Sequence, residues 1–242
     1  MKGAELASHY AFPPNNLGYC GRKSFRHSLR SFLGGETGTS RLEQEIRGFR
    51  IHYAYLKLIA RENGLRPFDE RVVRAFWSGN SLLESVSRDS MKRFIAEVLF
   101  AGKRSARAKA LTDNLPDGIR PHHSFNVLYV NFVTDSVERS IKNFDSCCVS
   151  AAKVLEAKGK QAIVIRKALT WKDGFRLEER RDKIDLERSG IRLVPGLKKG
   201  DTVAVHWGMA VEKLSPANGR ALLKYTKKNL DIIRKSLPGG SD

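Results

Sequence analysis

Gly200-Asp201-Thr202-Val203-Ala204-Val205-His206-Trp207-Gly208-Met209-Ala210-Val211-Glu212-Lys213-Leu214 is the stretch from which the fold can be read. A Gly-Asp turn feeds a β-branched run, one histidine closes that run, a glycine breaks it, and a second short strand follows. Ser215-Pro216 then supplies an N-cap with proline at the first helical position, and Leu223, Leu230, Ile233 and Leu237 mark a buried helical face. Upstream, residues 151–155 and 162–168 read as further strands, separated by a turn at Lys158-Gly159 and followed by one at Lys172-Asp173-Gly174. Together they predict a small OB-like barrel of about five strands over 145–242, closed by a C-terminal helix.

Working outward, Ser40-Arg41-Leu42-Glu43 has the form of a capping box. Leu42, Ile46, Phe49, Tyr53, Leu56 and Ile59 then recur at helical spacing until Asn63-Gly64. A second helix is expected from Pro67 through Val72, Val73, Phe76 and Trp77, with shorter helical patterns near 82–86 and 91–99. The run Ser124-Phe125-Asn126-Val127-Leu128-Tyr129-Val130-Asn131-Phe132-Val133 is apolar on both faces and reads as a buried strand over 123–133. Residues 1–37, rich in Gly, Pro, Ser and Asn with Pro13-Pro14-Asn15-Asn16 and Gly34-Gly35 as turn signals, are expected to be irregular. The whole reads as α+β: an irregular segment 1–37, a mainly helical domain 38–144 holding one strand, and the barrel domain 145–242.

The composition narrows the function classes. A chain of 242 residues that is 41% hydrophobic can build real cores. No apolar run is long enough for a membrane span and Met1-Lys2-Gly3-Ala4-Glu5 has no signal-peptide core, so a cytoplasmic protein is expected. Cys20, Cys147 and Cys148 are an odd set with one vicinal pair, which points to thiol or metal chemistry rather than a disulfide framework. The net charge of +18 raises the possibility of an RNA or single-stranded DNA partner. It is spread evenly, however: 21 Lys and Arg against 12 Asp and Glu from Asp145 onward, and 23 against 14 before it. Phosphate-loop, dinucleotide, Cys-x-x-Cys, His-Glu-x-x-His and Gly-x-Ser-x-Gly motifs are absent, which disfavours the common nucleotide-dependent, zinc-finger and hydrolase classes and makes a binding role the first expectation.

The segment 200–214 resembles the Gly-Asp-x-Val-x-Val-His-x-Gly-x-Ala-x-x-Lys-Leu segment of the small hydrogenase-assembly chaperones of the HypC type. Cys147, followed six and seven positions later by Lys153-Val154, resembles the cysteine that opens their barrel. The resemblance implies a barrel that holds iron bearing cyanide and carbon monoxide through a Cys/His pair, here Cys147 and His206. The implied client is the large subunit of a nickel-iron hydrogenase or another maturation factor. Two departures stand out. The family's cysteine follows the initiator Met and carries a free amine, whereas Cys147 is internal; and Ala151-Ala152 replace the usual Pro-Gly. The missing donor must come from elsewhere, and the candidates are His122 or His123, which point to opposite sides of a strand, and Cys20, in the glycine-flanked loop Tyr19-Cys20-Gly21. The alternative for each is structural: Cys147 as a small buried hydrophobe, His206 as a hydrogen-bonded strand end. The full chain, through Leu17-Gly18-Tyr19-Cys20-Gly21, Trp77-Ser78-Gly79-Asn80, His122-His123-Ser124-Phe125 and Val205-His206-Trp207, also resembles an uncharacterised prokaryotic family.

Overall fold

The computed structural model describes residues 2–100, 106–131 and 140–236. β1 (Ser150–Lys158), β2 (Gln161–Trp171) and β3 (Phe175–Asp185) form an antiparallel meander, and β4 (Thr202–His206) and β5 (Met209–Leu214) form a hairpin. They close in the order β1-β2-β3-β5-β4. β4 lies antiparallel to β1, from Ser150↔Val205 to Lys153↔Thr202, and β3 meets β5 in one parallel pair, Asp185↔Met209. The apolar members of the alternation, Val154, Val164, Ile184, Val203 and Val211 among them, are buried. Closure gives the polar stretch through 185 a role that its sequence hides: β3 is half-exposed, yet its pairing with β2 runs without interruption from Gln161↔Asp185 to Trp171↔Phe175.

The helices are α1 (Gly3–Asn16), α2 (Phe25–Leu33), α3 (Thr39–Arg47), α4 (Arg50–Glu62), α5 (Glu70–Trp77), α6 (Arg88–Arg93), α7 (Ala106–Asp113), α8 (His123–Phe125), α9 (Ile141–Cys147) and α10 (Pro216–Ser236). α6 runs on into π-helical backbone at Phe94–Leu99, and α8 into the same at Asn126–Asn131. The expected strand 123–133 is therefore helical as far as it is described, 132–133 lying outside the described residues. A short run that is apolar all round fits either a buried strand or a buried helix. Here Phe125, Val127, Leu128, Tyr129 and Val130 are all buried, so the helix presents no polar face to give it away.

Three further expectations are corrected. Residues 1–37 contain α1 and α2 rather than irregular chain; apart from half-buried Glu5, α1 is buried from Gly3 to Pro14, which erases the amphipathic signal, and its two prolines sit inside its last turn. The helix expected from Leu42 to Ile59 is two, because Gly48-Phe49 separates α3 from α4, and the start lies at Gly38 with no side-chain cap from Ser40. The boundary expected between 144 and 145 falls inside α9, whose Phe144 packs edge-on against Phe175 of β3 at 5.4 Å. Along α10, Leu222, Tyr225, Leu230 and Ile233 are buried, whereas Leu223 is exposed and Leu237 lies outside the described residues. One contiguous apolar core joins the helices to the barrel.

Candidate metal centre

His206 is placed by the β4–β5 hairpin. Its pair with Met209 leaves a two-residue turn, Trp207-Gly208, in which both residues have positive φ, 49° and 69°. Hairpins favour such turns because their twist matches the strands, but the first position ordinarily takes Asn, Asp or Gly. A tryptophan there is strained. It is held by Trp207 N–H donating to the Ser146 carbonyl at 2.7 Å, by Arg188 Nη2 donating to the Trp207 carbonyl at 3.0 Å, and by the Tyr19 ring stacked at 4.0 Å. The first of these ties the turn to α9, one residue from Cys147.

The geometry fixes the tautomer of His206. Nδ1 lies 2.8 Å from the Tyr10 carbonyl, which can only accept, so Nδ1 carries the proton. Nε2 therefore has a lone pair, and it is buried without a partner. A ring whose far N–H is anchored on a backbone carbonyl is the usual arrangement of a metal-ligating histidine. Burial lowers the pKa of His206 to about 4, an effect offset neither by the Tyr10 carbonyl nor by the Cys147 carbonyl, which lies near the ring but outside hydrogen-bond geometry, so the ring is neutral at pH 7.

Of the two adjacent histidines, hydrogen bonding separates the roles. His122 caps α8: Nε2–H donates to the Trp77 carbonyl at 3.2 Å, which leaves Nδ1 to accept from Ser124 N–H at 3.3 Å and lie 2.9 Å from Ser124 Oγ. Both nitrogens are committed to structure. Asn229 of α10 fixes this loop by bridging the Arg120 backbone at 2.9 and 3.0 Å and Ser124 Oγ at 3.1 Å. His123 instead has a buried Nδ1 with no partner, and burial, then neighbouring His206, holds its pKa well below the ordinary value.

Cys147 ends α9 and is half-buried. One ligand atom each from His123, Cys147 and His206 lies within 4.8 Å of the others, the single such group of His, Cys, Asp and Glu among the described residues. Donors around one tetrahedral ion sit about 3.3–3.8 Å apart, given metal–ligand bonds of about 2.0–2.3 Å, so small side-chain rotations close the set. Desolvation raises the Cys147 thiol, and Cys20 and Cys148 add to the effect. Without an ion it is protonated. Cys148 is buried in the core and outside the trio, its thiol raised to about 12 by burial and by Asp145. Cys20 is exposed and lies outside the trio, though close enough to act on the Cys147 thiol.

The walls were not foreseen as part of a site. Trp77 ends α5 with its ring 4.4 Å from His123 and 5.4 Å from His206, stacked on Tyr10 at 4.8 Å, and its Nε1–H donates to His52 Nε2 at 3.1 Å. His52, pushed down to about 3 by burial, is left with an unpartnered Nδ1. Tyr10 is locked in turn by its hydroxyl donating to Glu212 Oε2 at 2.6 Å, and Glu212 is paired with Arg74. These residues sit at ordinary core spacings, and nothing in their local sequence distinguishes them from core.

The molecule is thus a mixed α+β protein in which a closed five-stranded barrel and a helical layer enclose a His/Cys/His cluster between them. The chain belongs to a family of unknown function, DUF6390, whose model matches residues 1–239. No curated protein and no solved structure matches it. Among the described residues no helix is long and apolar enough to cross a membrane.

Proposed function

We propose that this is an accessory metal-handling protein of the cytoplasm that carries one first-row transition-metal ion on His123, Cys147 and His206 and passes it to a protein client. The observation that supports this most is that two buried imidazoles, each with an unpartnered nitrogen, and one thiol bring one ligand atom each within 4.8 Å of the others. Buried polar groups are normally satisfied, and an unsatisfied set of this kind calls for a missing partner. Two imidazoles and a thiolate suit iron, zinc, nickel or copper and disfavour magnesium or calcium. The cluster offers no nucleophile–base pair in hydrogen-bond contact, so the reading is of binding and transfer rather than catalysis.

The finer reading rests on the resemblance of 200–214 and of Cys147 with Lys153-Val154 to hydrogenase-assembly chaperones. It makes iron with cyanide and carbon monoxide the first cargo to test, and a nickel-iron hydrogenase large subunit or another maturation factor the first client. In this chain His123 takes the place of the amine donor that an internal cysteine lacks. A nucleic-acid role draws less support, because cations on the outer barrel such as Lys167, Arg180 and Lys213 are paired with carboxylates.

The test is metal analysis and infrared spectroscopy of protein purified without oxygen from a hydrogenase-making host, beside Cys147→Ser and His123→Ala. Stoichiometric metal in the parent, lost in both variants while their circular dichroism is unchanged, supports the carrier; bound cyanide and carbon monoxide bands support the finer reading. A parent that takes up no iron, zinc, nickel or copper refutes both.

A further inference from the structure

The loop between α1 and α2 carries Leu17 and Tyr19, two of the large apolar side chains that are exposed, at 49% and 53%. It reaches the turn that follows His206. Tyr19 stacks on Trp207 at 4.0 Å with an interplanar angle of 28°, and Trp207 is the residue after His206. The loop is tied at its base by Asn15 Nδ2, which donates to the Cys20 and Arg22 carbonyls at 2.8 and 2.9 Å. Its two glycines differ. Gly21 (φ 77°) is pinned, since a Cβ there would meet the Phe49 ring at 2.3 Å, whereas Gly18 (φ 84°) has open space around it. The turn is held at the α1 end by Gly18 and Tyr19 N–H donating to the Asn15 and Pro14 carbonyls at 3.0 and 2.9 Å, and at the other by Gly21 against Phe49, which leaves the Tyr19 and Cys20 side chains on the exposed span between the two anchors.

The trio is chemically incomplete. Three donors leave one vertex of a tetrahedron open, and two neutral imidazoles with one thiolate leave a divalent ion with a net charge of +1 in a shell made of Trp77, Tyr10 and His52. Uncompensated charge is costly there. The cluster contains no carboxylate among the described residues. Of the two other thiols, Cys148 is buried in the core, whereas Cys20 sits in the loop whose Tyr19 stacks on Trp207, next to His206.

Building on the metal-handling reading, we propose that Cys20 is the fourth donor: loop 17–23 closes over His123, Cys147 and His206 to complete a Cys2His2 site for a divalent first-row ion. Opening of the same loop exposes the ion on its three remaining ligands. Because Leu17 and Tyr19 ride on that loop, the surface that a client would grip is the surface whose displacement frees the cargo.

The test is an anaerobic cobalt(II) titration of the full-length metal-free protein. The near-ultraviolet thiolate-to-cobalt band scales with the number of thiolate ligands, and strong visible bands report tetrahedral geometry. The parent is expected to show a two-thiolate, tetrahedral spectrum. Cys20→Ser should halve the near-ultraviolet band, lose the strong visible bands and weaken cobalt binding by at least about 100-fold, since even outer-shell changes cost about 10- to 100-fold. Cys20 is exposed, so this variant keeps its fold. Tyr19→Ala, which loosens the loop without removing a donor, should keep two thiolates and speed cobalt loss to a chelator. If Cys20→Ser binds cobalt with the parent's spectrum and affinity, the fourth-donor assignment is wrong and the three-ligand carrier stands; if the parent binds no cobalt, both fall.

Discussion

Two polar clusters flank α9, and they are opposite in kind. On one side, Asp145 accepts from Arg166 through both oxygens at 2.9 and 2.6 Å, from Leu169 N–H at 2.7 Å and from Arg180 at 2.6 Å, while Asp182 accepts from Arg166 Nε at 2.6 Å and from Arg180 Nε at 2.7 Å. Every acceptor is used. On the other, two residues along the same helix, Cys147 faces His123 and His206 with imidazole nitrogens that no protein group satisfies. A buried polar network that is complete specifies structure, and one that is open specifies a partner. The Asp145 cluster therefore reads as the clamp that sets α9 against the barrel, and the Cys147 cluster as what the clamp holds in place.

Acid separates the two most strongly. Burial lowers His52 and His122 to about 3 and His206 to about 4, with His123 well below its ordinary value, whereas all titrate near 6.5 in the unfolded chain. The unfolded state thus takes up more protons between these limits, and stability is full above pH 6.5 and falls as pH drops toward 4, by up to about 1.4 kcal/mol per pH unit for each histidine. Asp145 and Asp182 are held below the usual carboxylate range by their arginines despite desolvation, so their contribution persists until the pH falls below about 4. Urea unfolding at pH 7.0, 6.0 and 5.0 should show a steep loss of stability in the histidine window. A flat profile down to pH 5 would mean that the rings are solvated and the cluster is not closed.

Within the clamp, removing one partner of a buried charge set is the costly change. Asp145→Ala leaves Arg166, whose side chain is 8% exposed, without its bidentate acceptor, and should destabilise by about 3–5 kcal/mol. Arg180→Gln, at a side chain 44% exposed, should cost about 1 kcal/mol or less, because solvent replaces most of what is lost. Equal costs in denaturant melts would show that the two arginines are not buried unequally.

How much of this contrast was legible follows from what each element buries. The β4–β5 hairpin could be read because its alternation and its Gly208 break are local, and Cys147 and His206 could be singled out with it. α8 with its π-helical continuation could not, since Phe125, Val127, Leu128, Tyr129 and Val130 are all buried, Asn126 alone between them is polar, and the run is shorter than a helix that announces itself. α1 was hidden for the same reason, with Pro13-Pro14 reading as a turn. The choice between His122 and His123 depends on the Trp77 carbonyl, 45 residues away, and the clamp on pairs that span 16 to 35 residues; no periodicity encodes such meetings.

The smallest expected effect is the most telling. Cys147→Ser replaces a half-buried, protonated thiol that makes no strong bond by an isosteric hydroxyl, so the metal-free protein should change by no more than about 0.5 kcal/mol, the range of substitutions that break no buried network. The loaded protein should behave otherwise. A ligand that binds only the folded state at a hundred times its Kd stabilises by about 2.7 kcal/mol, and Cys147→Ser should forfeit that increment entirely. Melting the parent and the variant with and without added zinc or iron(II) measures both numbers in one series. A large loss in the metal-free state would make Cys147 part of the clamp after all, and the open cluster would lose its distinction from the closed one.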